Sequence, residues 1–464
     1  MLDLALILFI LAVLALGIRR PFIWVLAYLY IDILAPQKIG WAITAAIPVS
    51  LIAFCAAFAG YLAADSKKGS RFTLRQGILV VLLCYCAWTT SHAEFAEEAL
   101  VKWDWVWKAL VFAIFLPLTL RTKVRIEAAL LIMVLTAATI ITNAGIKTVF
   151  GGGGYGTLHI YVNDNSGMYE SSTLATVAIA IIPLIVWLVK FGTIFPDDWR
   201  VRLYSAALIF SCLLIPVGTE ARTGLVCIAV LAILLLRDVK RRLTFIVAGA
   251  ALGMMALPFL PQSYYERMST ISGHQSDESA STRVAVWKWT LDYASRNPMG
   301  GGFEIYRGNK FEFKMPVAVK DGNTTAVEYQ DVIDQGRAFH SAIFEMLGEQ
   351  GWPGLFLWLW LHAAGLWQME RLRHRFGRRE GGPHWQGQLA SALQNAQIIY
   401  LVGSLFQGIA YQPFVLMLIG LQCALWSYCK RLDSPIGKRR PGMMSAPAIE
   451  QSSNAVTAPG GALR

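Results

Sequence analysis

Apolar stretches long enough to cross a bilayer recur along almost the whole chain, and they restrict its fold more than any other feature. A hydrocarbon core of ~30 Å needs about 20 apolar residues per helix, and fewer where neighbouring helices bury the ends. We count thirteen candidate spans in the 464 residues, or twelve because the first two are short. They lie near residues 3–17, 21–35, 43–64, 76–91, 105–120, 126–146, 170–190, 203–217, 223–236, 243–260, 353–369, 394–410 and 413–429. The sequence predicts an all-α polytopic integral membrane protein with about 12–13 transmembrane helices.

Composition supports a membrane location. Hydrophobic residues make up 56% of the chain, charged residues only 15%, and the mean hydropathy is +0.49. These values exclude an ordinary soluble domain. Arg19, Arg20 and Pro21 lead from the first apolar stretch straight into the second, so we expect a retained helix rather than a cleaved signal peptide.

Lysine and arginine are concentrated in every second connection between the spans. Short cytoplasmic loops hold an excess of both residues, so this alternation places the N-terminus outside and the basic connections in the cytoplasm. The basic clusters lie at residues 19–20, 67–75, 121–125, 190–202, 237–242, 371–379 and 430–440. Topology and anionic lipid therefore explain the net charge of +11, and we expect no nucleic-acid partner.

The spans are distributed unevenly along the chain. Residues 1–260 form an N-terminal membrane bundle of about ten spans, and residues 261–339 form one large, partly helical loop on the outer side. Residues 340–430 hold an amphipathic helix and the C-terminal spans. The Pro-, Ser- and Gly-rich residues 431–464 are typical of a disordered cytoplasmic tail.

Two outward connections contain candidate binding residues. In "GTEARTGL", Glu220 and Arg222 lie where charge is costly unless it is paired or faces a polar cavity. The alternative is a simple Arg222 to Glu220 pair, or an arginine that reaches lipid headgroups. In "GGGGYGTLHIYVNDNSGMYES", Asn163, Asp164 and Asn165 follow four glycines and could hold sugar hydroxyls. A flexible loop with an ordinary helix cap explains that segment equally well.

The large loop contains a clear helical pattern over residues 277–304. Val284, Trp287 and Leu291 predict an apolar stripe, and Arg283 lies one turn before Trp287 at its edge. A stripe that packs on the membrane domain would direct Arg283 inward. A solvated arginine on an amphipathic helix is the open alternative.

His340 precedes an apolar run in "GRAFHSAIFEMLGEQGWPGLFLWLWL". A continuous helix from His340 to residue 369 would be ~45 Å long, which exceeds the hydrocarbon thickness. We therefore expect Gly351 and Pro353 to bend the chain and leave His340 in water near the outer surface. Arg337 lies one turn before it.

The residues between His340 and this bend predict a short amphipathic helix over 338–350. Its apolar positions are Ile343, Phe344 and Leu347, and its polar positions are Glu345 and Glu349.

A histidine of near-neutral pKa among arginines suits one kind of chemistry. The histidine can remove a proton from an attacking hydroxyl, while the cations stabilise a phosphate-bearing leaving group. A lone histidine is more often structural, so the setting of His340 supports this hypothesis more than its identity does.

Several of these segments together resemble the O-antigen ligase and polymerase superfamily. They are "EARTGL", "ESASTRVAVWKWT" with "PMGGGFE", and "AFHSAIFEMLGEQGWPG", in this order and on one side of the membrane. The N-terminal "RRPFIWVLAYLYIDILAPQKIGWA" and "GGGGYG" are similar to the O-glycosylation ligases associated with exosortase systems. The resemblance covers most of residues 1–430.

The resemblance implies an activity at the periplasmic face of the bacterial inner membrane. A preassembled glycan would be transferred from a polyprenyl diphosphate carrier to an acceptor hydroxyl on a glycan, lipid or protein. By position, His340 matches the catalytic histidine of the family, and Arg222 and Arg283 match arginines that hold the diphosphate; we add Arg337 to this group. Ser341 stands where many relatives have asparagine, which leaves the subfamily and the acceptor open.

We expect an inverting transfer without metal or cofactor. The nearest acidic candidates for a metal site are Glu94, Glu97, Glu98 and Asp104. They are spread around one segment, whose pattern is more typical of a solvated acidic helix. A polysaccharide polymerase of the same superfamily is the nearest alternative. A lipid-linked glycan transporter is a second, which we disfavour because His362 is the only ionisable residue that we place deep in a span.

Reporter fusions test the orientation. Fusions at residues 69, 240 and 376 should report the cytoplasm, and fusions at 153 and 320 the periplasm, because the basic connections all fall on one side. Paired alkaline phosphatase and fluorescent-protein activities measure this. A cytoplasmic signal at 320 would contradict the orientation, since His340 and the arginines would then face the wrong pool of donor.

Overall fold

The chain folds into a helical bundle, seen here in a computed structural model. The structure describes residues 2–36, 47–67, 70–150, 167–237, 278–321, 324–377 and 384–433, with single positions between 242 and 254. Thirteen helices lie within these residues. They are α1 (Leu2–Arg19), α2 (Phe22–Leu34), α3 (Val49–Ala64), α4 (Leu74–Ser91), α5 (Ala96–Thr119), α6 (Lys123–Phe150), α7 (Ser171–Phe191), α8 (Trp199–Gly218), α9 (Arg222–Leu236), α10 (Glu278–Arg296), α11 (Ala342–Gly377), α12 (Trp385–Ser404) and α13 (Pro413–Asp433).

The predicted fold class, an all-α polytopic membrane protein, is confirmed. Five of the described helices, α4, α6, α7, α8 and α13, are long and apolar enough to cross a membrane, and α1, α2, α3 and α9 are shorter apolar helices. All the described helices except α10 overlap a predicted span. The span predicted at 243–260 lies outside the described residues apart from isolated positions, and so does the tail from 434.

One predicted span is shifted along the chain. We expected a span at 394–410, but α12 begins at Trp385 and ends at Ser404. Residues 405–412 instead form a turn, in which Gln407 reaches back to Thr176 of α7 with a hydrogen bond of 3.1 Å. The polar side chain is satisfied by that contact rather than by solvent.

The helices differ in how much of their surface other helices cover. The apolar spans of α7 and α13 are 72% and 78% buried, whereas that of α8 is 28% buried. On α1, Leu4, Leu8 and Ile18 are all more than half exposed. A soluble protein rarely exposes so much apolar surface, so these outer faces fit lipid.

The basic connections meet at one end of the bundle, which we call the basic end. Asp65, after α3, accepts hydrogen bonds from Arg121 at 2.8 Å and Arg125 at 2.6 Å. Arg431, in the last turn of α13, donates to the Arg121 carbonyl at 2.8 Å. At this end Arg237 also pairs with Glu370 at 2.9 Å. The alternation seen in the sequence therefore corresponds to one physical surface.

His362 is not alone in the interior, contrary to the sequence analysis. Arg75 is fully buried in the first turn of α4 and donates to Gln422 at 2.9 Å. Gln422 donates to Gln397, which lies 2.9 Å from His362 Nδ1. The sequence pattern placed Arg75 just outside a span, but the neighbouring helices extend past it and bury it.

The opposite end, which we call the loop end, carries a β-hairpin and α10, and α10 packs against α11. The buried face of α10 contains Val286, Thr290 and Ala294. The predicted stripe was wrong in phase, because Val284 and Leu291 are each 46% exposed.

The hairpin is an element that the sequence analysis missed. Strands β1 (Lys310–Asp321) and β2 (Thr324–Gln335) pair antiparallel from Lys310 opposite Gln335 to Asp321 opposite Thr324. Alternating β-branched residues on both sides of Asp321 and Gly322 are the signal that could have indicated it.

A kink in α11 fastens the loop end to the membrane bundle. Gly351 has φ 63° and ψ −166°, which confirms the predicted bend. Pro353 has no N–H for the Glu349 carbonyl, which instead accepts from Gly302 N at 2.9 Å. One residue earlier, the Gly348 carbonyl accepts from Gly301 N at 3.1 Å. The turn after α10 thus satisfies the carbonyls that the kink leaves open.

Gly300→Ala should destabilise this junction. Gly300 has φ +86°, and an added Cβ would lie 2.5 Å from both the Glu349 carbonyl oxygen and the Gly351 nitrogen. The left-handed backbone alone costs an L-residue about 1–2 kcal/mol, and the backbone clash adds to that. Thermal unfolding in detergent should show a clearly lower midpoint. Gly377→Ala, where a Cβ meets nothing within 4 Å, is the matched control and should unfold like wild type.

Candidate active site

His340 lies at the loop end, immediately before α11, in a strained backbone conformation. Its φ is 48°, in the left-handed region that non-glycine residues seldom adopt. The helix predicted over 338–350 begins instead at Ala342, so His340 lies outside it. The side chain is exposed, as expected. The preceding Phe339 is buried, and its carbonyl accepts a hydrogen bond of 2.9 Å from Trp287 Nε1 on α10. Neighbouring packing therefore holds the strained histidine in place.

Asn309 fixes the chain just before His340. This fully buried residue donates from Nδ2 to the Arg337 carbonyl at 2.7 Å and accepts from Arg337 N at 3.0 Å. Its own carbonyl accepts from Gly336 N at 3.1 Å. The base of the hairpin is thus closed by the same side chain that orients residues 337–340. The sequence analysis did not single out Asn309.

Two arginines act electrostatically on His340. Surrounding protein desolvates the ring and lowers the pKa of His340 below its usual 6.5, although part of the side chain reaches solvent. Arg283 and Arg337 lower this pKa further, because each cation disfavours the imidazolium. A lower pKa favours the neutral form of His340, which can accept a proton.

Arg283 lies between the start of α11 and the start of α7. It acts electrostatically on His340 and also on Glu170, the residue before α7. Arg283 lies on the same face of α10 as the buried Val286 and Thr290, and it is half-buried.

Arg222 is the first residue of α9, at the same end of the bundle. An added Cβ at Gly224 would lie 3.0 Å from Ala175 Cβ, so the first turns of α9 and α7 are in contact. Glu220 lies in the preceding turn, is buried, and has φ 51°. Both Glu220 and Arg222 take part in polar or electrostatic interactions.

The remaining predicted residues differ in their placement. Arg337 is exposed and pairs with Asp334 of β2, so its guanidinium is already shared with a carboxylate. Asn163, Asp164 and Asn165 lie outside the described residues. The structure therefore places Arg283 and Arg337 where they act electrostatically on His340, and places Arg222 on a helix whose first turns contact those of α7.

A buried ion cluster is the main feature that the sequence analysis missed. Lys102 Nζ of α5 lies 2.8 Å from Glu345 Oε1 and 2.8 Å from Glu349 Oε1 of α11. The polar face predicted for Glu345 and Glu349 is not solvated, because both carboxylates are buried. Glu345 Oε2 accepts from Ala410 N at 2.9 Å, and Glu349 Oε1 accepts from Glu304 N at 3.1 Å. The i, i+4 acidic pair was visible in the sequence, but its cation lies more than 240 residues away.

The acidic residues expected to form a solvated helix are partly engaged. Glu94 accepts a hydrogen bond from Tyr293 of α10, and Glu98 lies 3.8 Å from Arg307. Asp104 pairs with Lys108 at 2.9 Å while its side chain remains 72% exposed. These residues therefore lie along the boundary between α5 and the loop end.

A cavity of about 690 Å³ opens beside the ion cluster. Its walls come from α2, α3, α5, α11 and α13 and from the residues after α10. Among the described residues that line it, five carry carboxylates: Asp32, Glu98, Asp104, Glu304 and Glu345. Three carry cations: Lys102, Lys108 and Arg307. Trp105, Tyr169 and Tyr411 add aromatic surface.

Two family models match successive parts of the chain. Residues 206–359 match the family described as O-Antigen ligase, and residues 1–193 match a family of unknown function (DUF5935). No curated protein matches the chain. The first match supports placement in the O-antigen ligase superfamily and a ligase- or polymerase-like role on lipid-linked glycans. His340, Arg222 and Arg283 all lie within this match.

The reactivity of His340 should reveal its lowered pKa. Diethyl pyrocarbonate acylates only neutral imidazole, so the acylation of His340, followed by peptide mass spectrometry, should reach half its maximum below pH 6.5. Arg337→Gln should move this midpoint to higher pH, because it removes a cation that disfavours the imidazolium. Arg296→Gln removes an exposed arginine paired with Asp292 and should leave the midpoint unchanged. A wild-type midpoint at or above 6.5 would contradict the electrostatic description.

Proposed function

We propose that this chain is a metal-independent, inverting glycosyltransferase of the O-antigen ligase type. It transfers a preassembled glycan from polyprenyl diphosphate to an acceptor hydroxyl at the periplasmic face of the bacterial inner membrane. The observation that supports this most is the neutral His340 beside Arg283 and Arg337, within the segment that matches O-Antigen ligase.

The chemistry is a direct displacement at the anomeric carbon of the donor. His340 takes the proton of the acceptor hydroxyl as its oxygen forms the new bond to that carbon. The bond between the anomeric carbon and the diphosphate oxygen breaks, and polyprenyl diphosphate leaves with the electron pair. Because attack and departure occur on opposite faces, the configuration inverts and no covalent enzyme intermediate forms. The imidazolium then releases its proton to water.

The arginines stabilise the leaving group. Diphosphate gains negative charge as the bond breaks, and fixed cations beside its oxygens lower the barrier without a general acid. Arg222, Arg283 and Arg337 have this role, and Glu220 holds the turn that presents Arg222. We assign Asn163, Asp164 and Asn165 a secondary role, in which they contact sugar hydroxyls.

The distribution of charge between the two ends of the bundle supports this orientation. Arg121, Arg125, Arg237 and Arg431 meet at the basic end, which the positive-inside rule places in the cytoplasm. His340 at the loop end then faces the periplasm, together with the donor and the acceptor. The likeness to exosortase-associated O-glycosylation ligases favours a ligase over a polymerase, and the identity of the accepted hydroxyl separates these two activities.

Substitution of the charged residues tests these roles in purified, reconstituted protein. His340→Ala should reduce transfer from a defined polyprenyl diphosphate glycan by ~10²- to 10⁴-fold and leave donor binding nearly intact, because the base acts on the acceptor. Arg222→Ala and Arg283→Ala should weaken both donor binding and rate, since their bonds to diphosphate exist before and during bond cleavage. Lysine at either position should rescue only in part, because it lacks the planar fork. EDTA should change nothing.

Two exposed residues provide matched controls. His92 lies in the turn after α4 at the loop end, and Arg296 lies on the same helix as Arg283, so alanine at either position should leave transfer unchanged. Wild-type transfer by His340→Ala would return the histidine to a structural role. Binding of the labelled donor by wild-type protein, without transfer to any acceptor, would favour the transporter alternative.

A further inference from the structure

The cavity beside the ion cluster is lined mainly by a different part of the chain from the part that contains Arg222, Arg283 and Arg337. Asp32, Asp104, Trp105 and Lys108, which line it, all fall within residues 1–193, the segment that matches a family of unknown function. Of the described lining residues, those from beyond residue 206 come from the residues after α10, the start of α11 and the turn into α13. The cavity is therefore built largely by the part of the chain to which the O-antigen ligase match gives no role.

The cavity also differs from the His340 region in the sign of its charge. Its described lining has five carboxylates and three cations, so its net charge is negative. Arg283 and Arg337 make the surroundings of His340 positive. A diphosphate is stabilised beside the arginines and repelled by the cavity. A ligand of the cavity is therefore neutral or cationic.

The carboxylates are spread around the cavity walls. Asp32 comes from α2, Asp104 from α5, and Glu304 from the residues after α10. Asp32 Oδ2 is buried and has no hydrogen-bond partner among the described residues. Ionised carboxylates only accept hydrogen bonds, so they are matched by a ligand with several donors at different points. A saccharide has hydroxyls all around its rings, whereas a serine or threonine side chain offers one.

Aromatic side chains and size support the same class of ligand. Trp105 is half-buried on the wall, and Tyr411 and Tyr169 add ring surface. A volume of about 690 Å³ lies within the ~300–1,000 Å³ typical of small-ligand sites.

The cavity reaches the first turns of α11, where His340 also lies. Glu345 lines the cavity and is tied to Lys102 at 2.8 Å. Glu345 lies in the first turn of α11, five residues after His340. A ligand in the cavity can therefore present one end toward His340.

We infer that this cavity binds the acceptor, a neutral, hydroxyl-rich glycan, and that residues 1–193 select it. This inference rests on the proposed function, whose acceptor it specifies. The donor diphosphate occupies the arginine side of His340, and the acceptor enters from the carboxylate side.

Two variants separate acceptor binding from donor binding. Asp104→Asn removes one accepting charge, and Trp105→Ala removes ring surface. Asp104→Asn should raise the KM for a neutral acceptor about tenfold, the effect of losing one hydrogen bond to a charged group. Trp105→Ala should also raise that KM, because it removes the ring surface that the acceptor contacts. Neither should change the KM for the donor. Asp197→Asn is the matched control, since Asp197 is 70% exposed and Asp104 is 72% exposed. A rise in donor KM in Asp104→Asn would overturn the inference.

Direct binding gives a second measurement that does not need turnover. The probes are labelled neutral hexose and N-acetylhexosamine tetrasaccharides, each paired with its 6-phosphate, and equilibrium dialysis against reconstituted protein measures their affinities. At least one neutral probe should bind, and its phosphate should bind at least tenfold more weakly. Asp104→Asn should reduce the difference in affinity between the neutral probe and its phosphate, whereas Asp197→Asn should leave that difference unchanged. Absence of binding by every neutral probe, or tighter binding of the phosphates, would overturn the inference.

The two measurements also distinguish failure of the inference from failure of the proposed function. If wild-type protein transfers glycan but Asp104→Asn and Trp105→Ala behave like Asp197→Asn, the inference that the cavity binds the acceptor is wrong. The proposal that the protein is a glycosyltransferase is then unaffected. If no transfer occurs with any acceptor, the transferase proposal fails, and charge-selective binding of the neutral probes still decides whether the cavity is a glycan site.

Discussion

Backbone carbonyls inside a membrane protein need hydrogen-bond partners, and the kink at Gly351 leaves two of them without a helical donor. The amides of Gly301 and Gly302 supply those bonds. This exchange joins the loop after α10 to the core of the bundle rather than to its surface. The first turns of α11 are thereby fixed against α10, and His340 lies just before them. The position of the candidate base therefore depends on main-chain bonds made by residues that have no side chain.

Cationic and anionic side chains lie close to each other around the start of α11. Desolvation, Arg283 and Arg337 lower the pKa of His340, and five residues later Glu345 shares Lys102 with Glu349. A buried ion cluster gains little net stability, because desolvation offsets much of its attraction. Its value here is positional: Lys102 fixes two successive turns of α11 against α5.

The sequence was sufficient to predict what depends on local pattern. The apolar spans, the basic connections, the bend at Gly351 and the helix containing Arg283 follow from periodicity, charge and known breakers. The buried face of α10 could not be predicted in this way, because Val284 and Leu291 are apolar and yet exposed. The Lys102 cluster and the cavity could not be predicted, since both join residues hundreds of positions apart. The hairpin was predictable from alternation around Asp321 and Gly322, and was overlooked.

The ion cluster bears on how such a protein can change over evolutionary time. Lys102 belongs to the segment that matches a family of unknown function, whereas Glu345 and Glu349 belong to the segment that matches O-Antigen ligase. Exchange of either segment for an unmatched relative would bury one ammonium or two carboxylates without partners. The two segments are therefore not interchangeable modules, despite their separate family matches. Recombination that separates them would leave a buried charge without its partner, a cost that substitution elsewhere in either segment avoids.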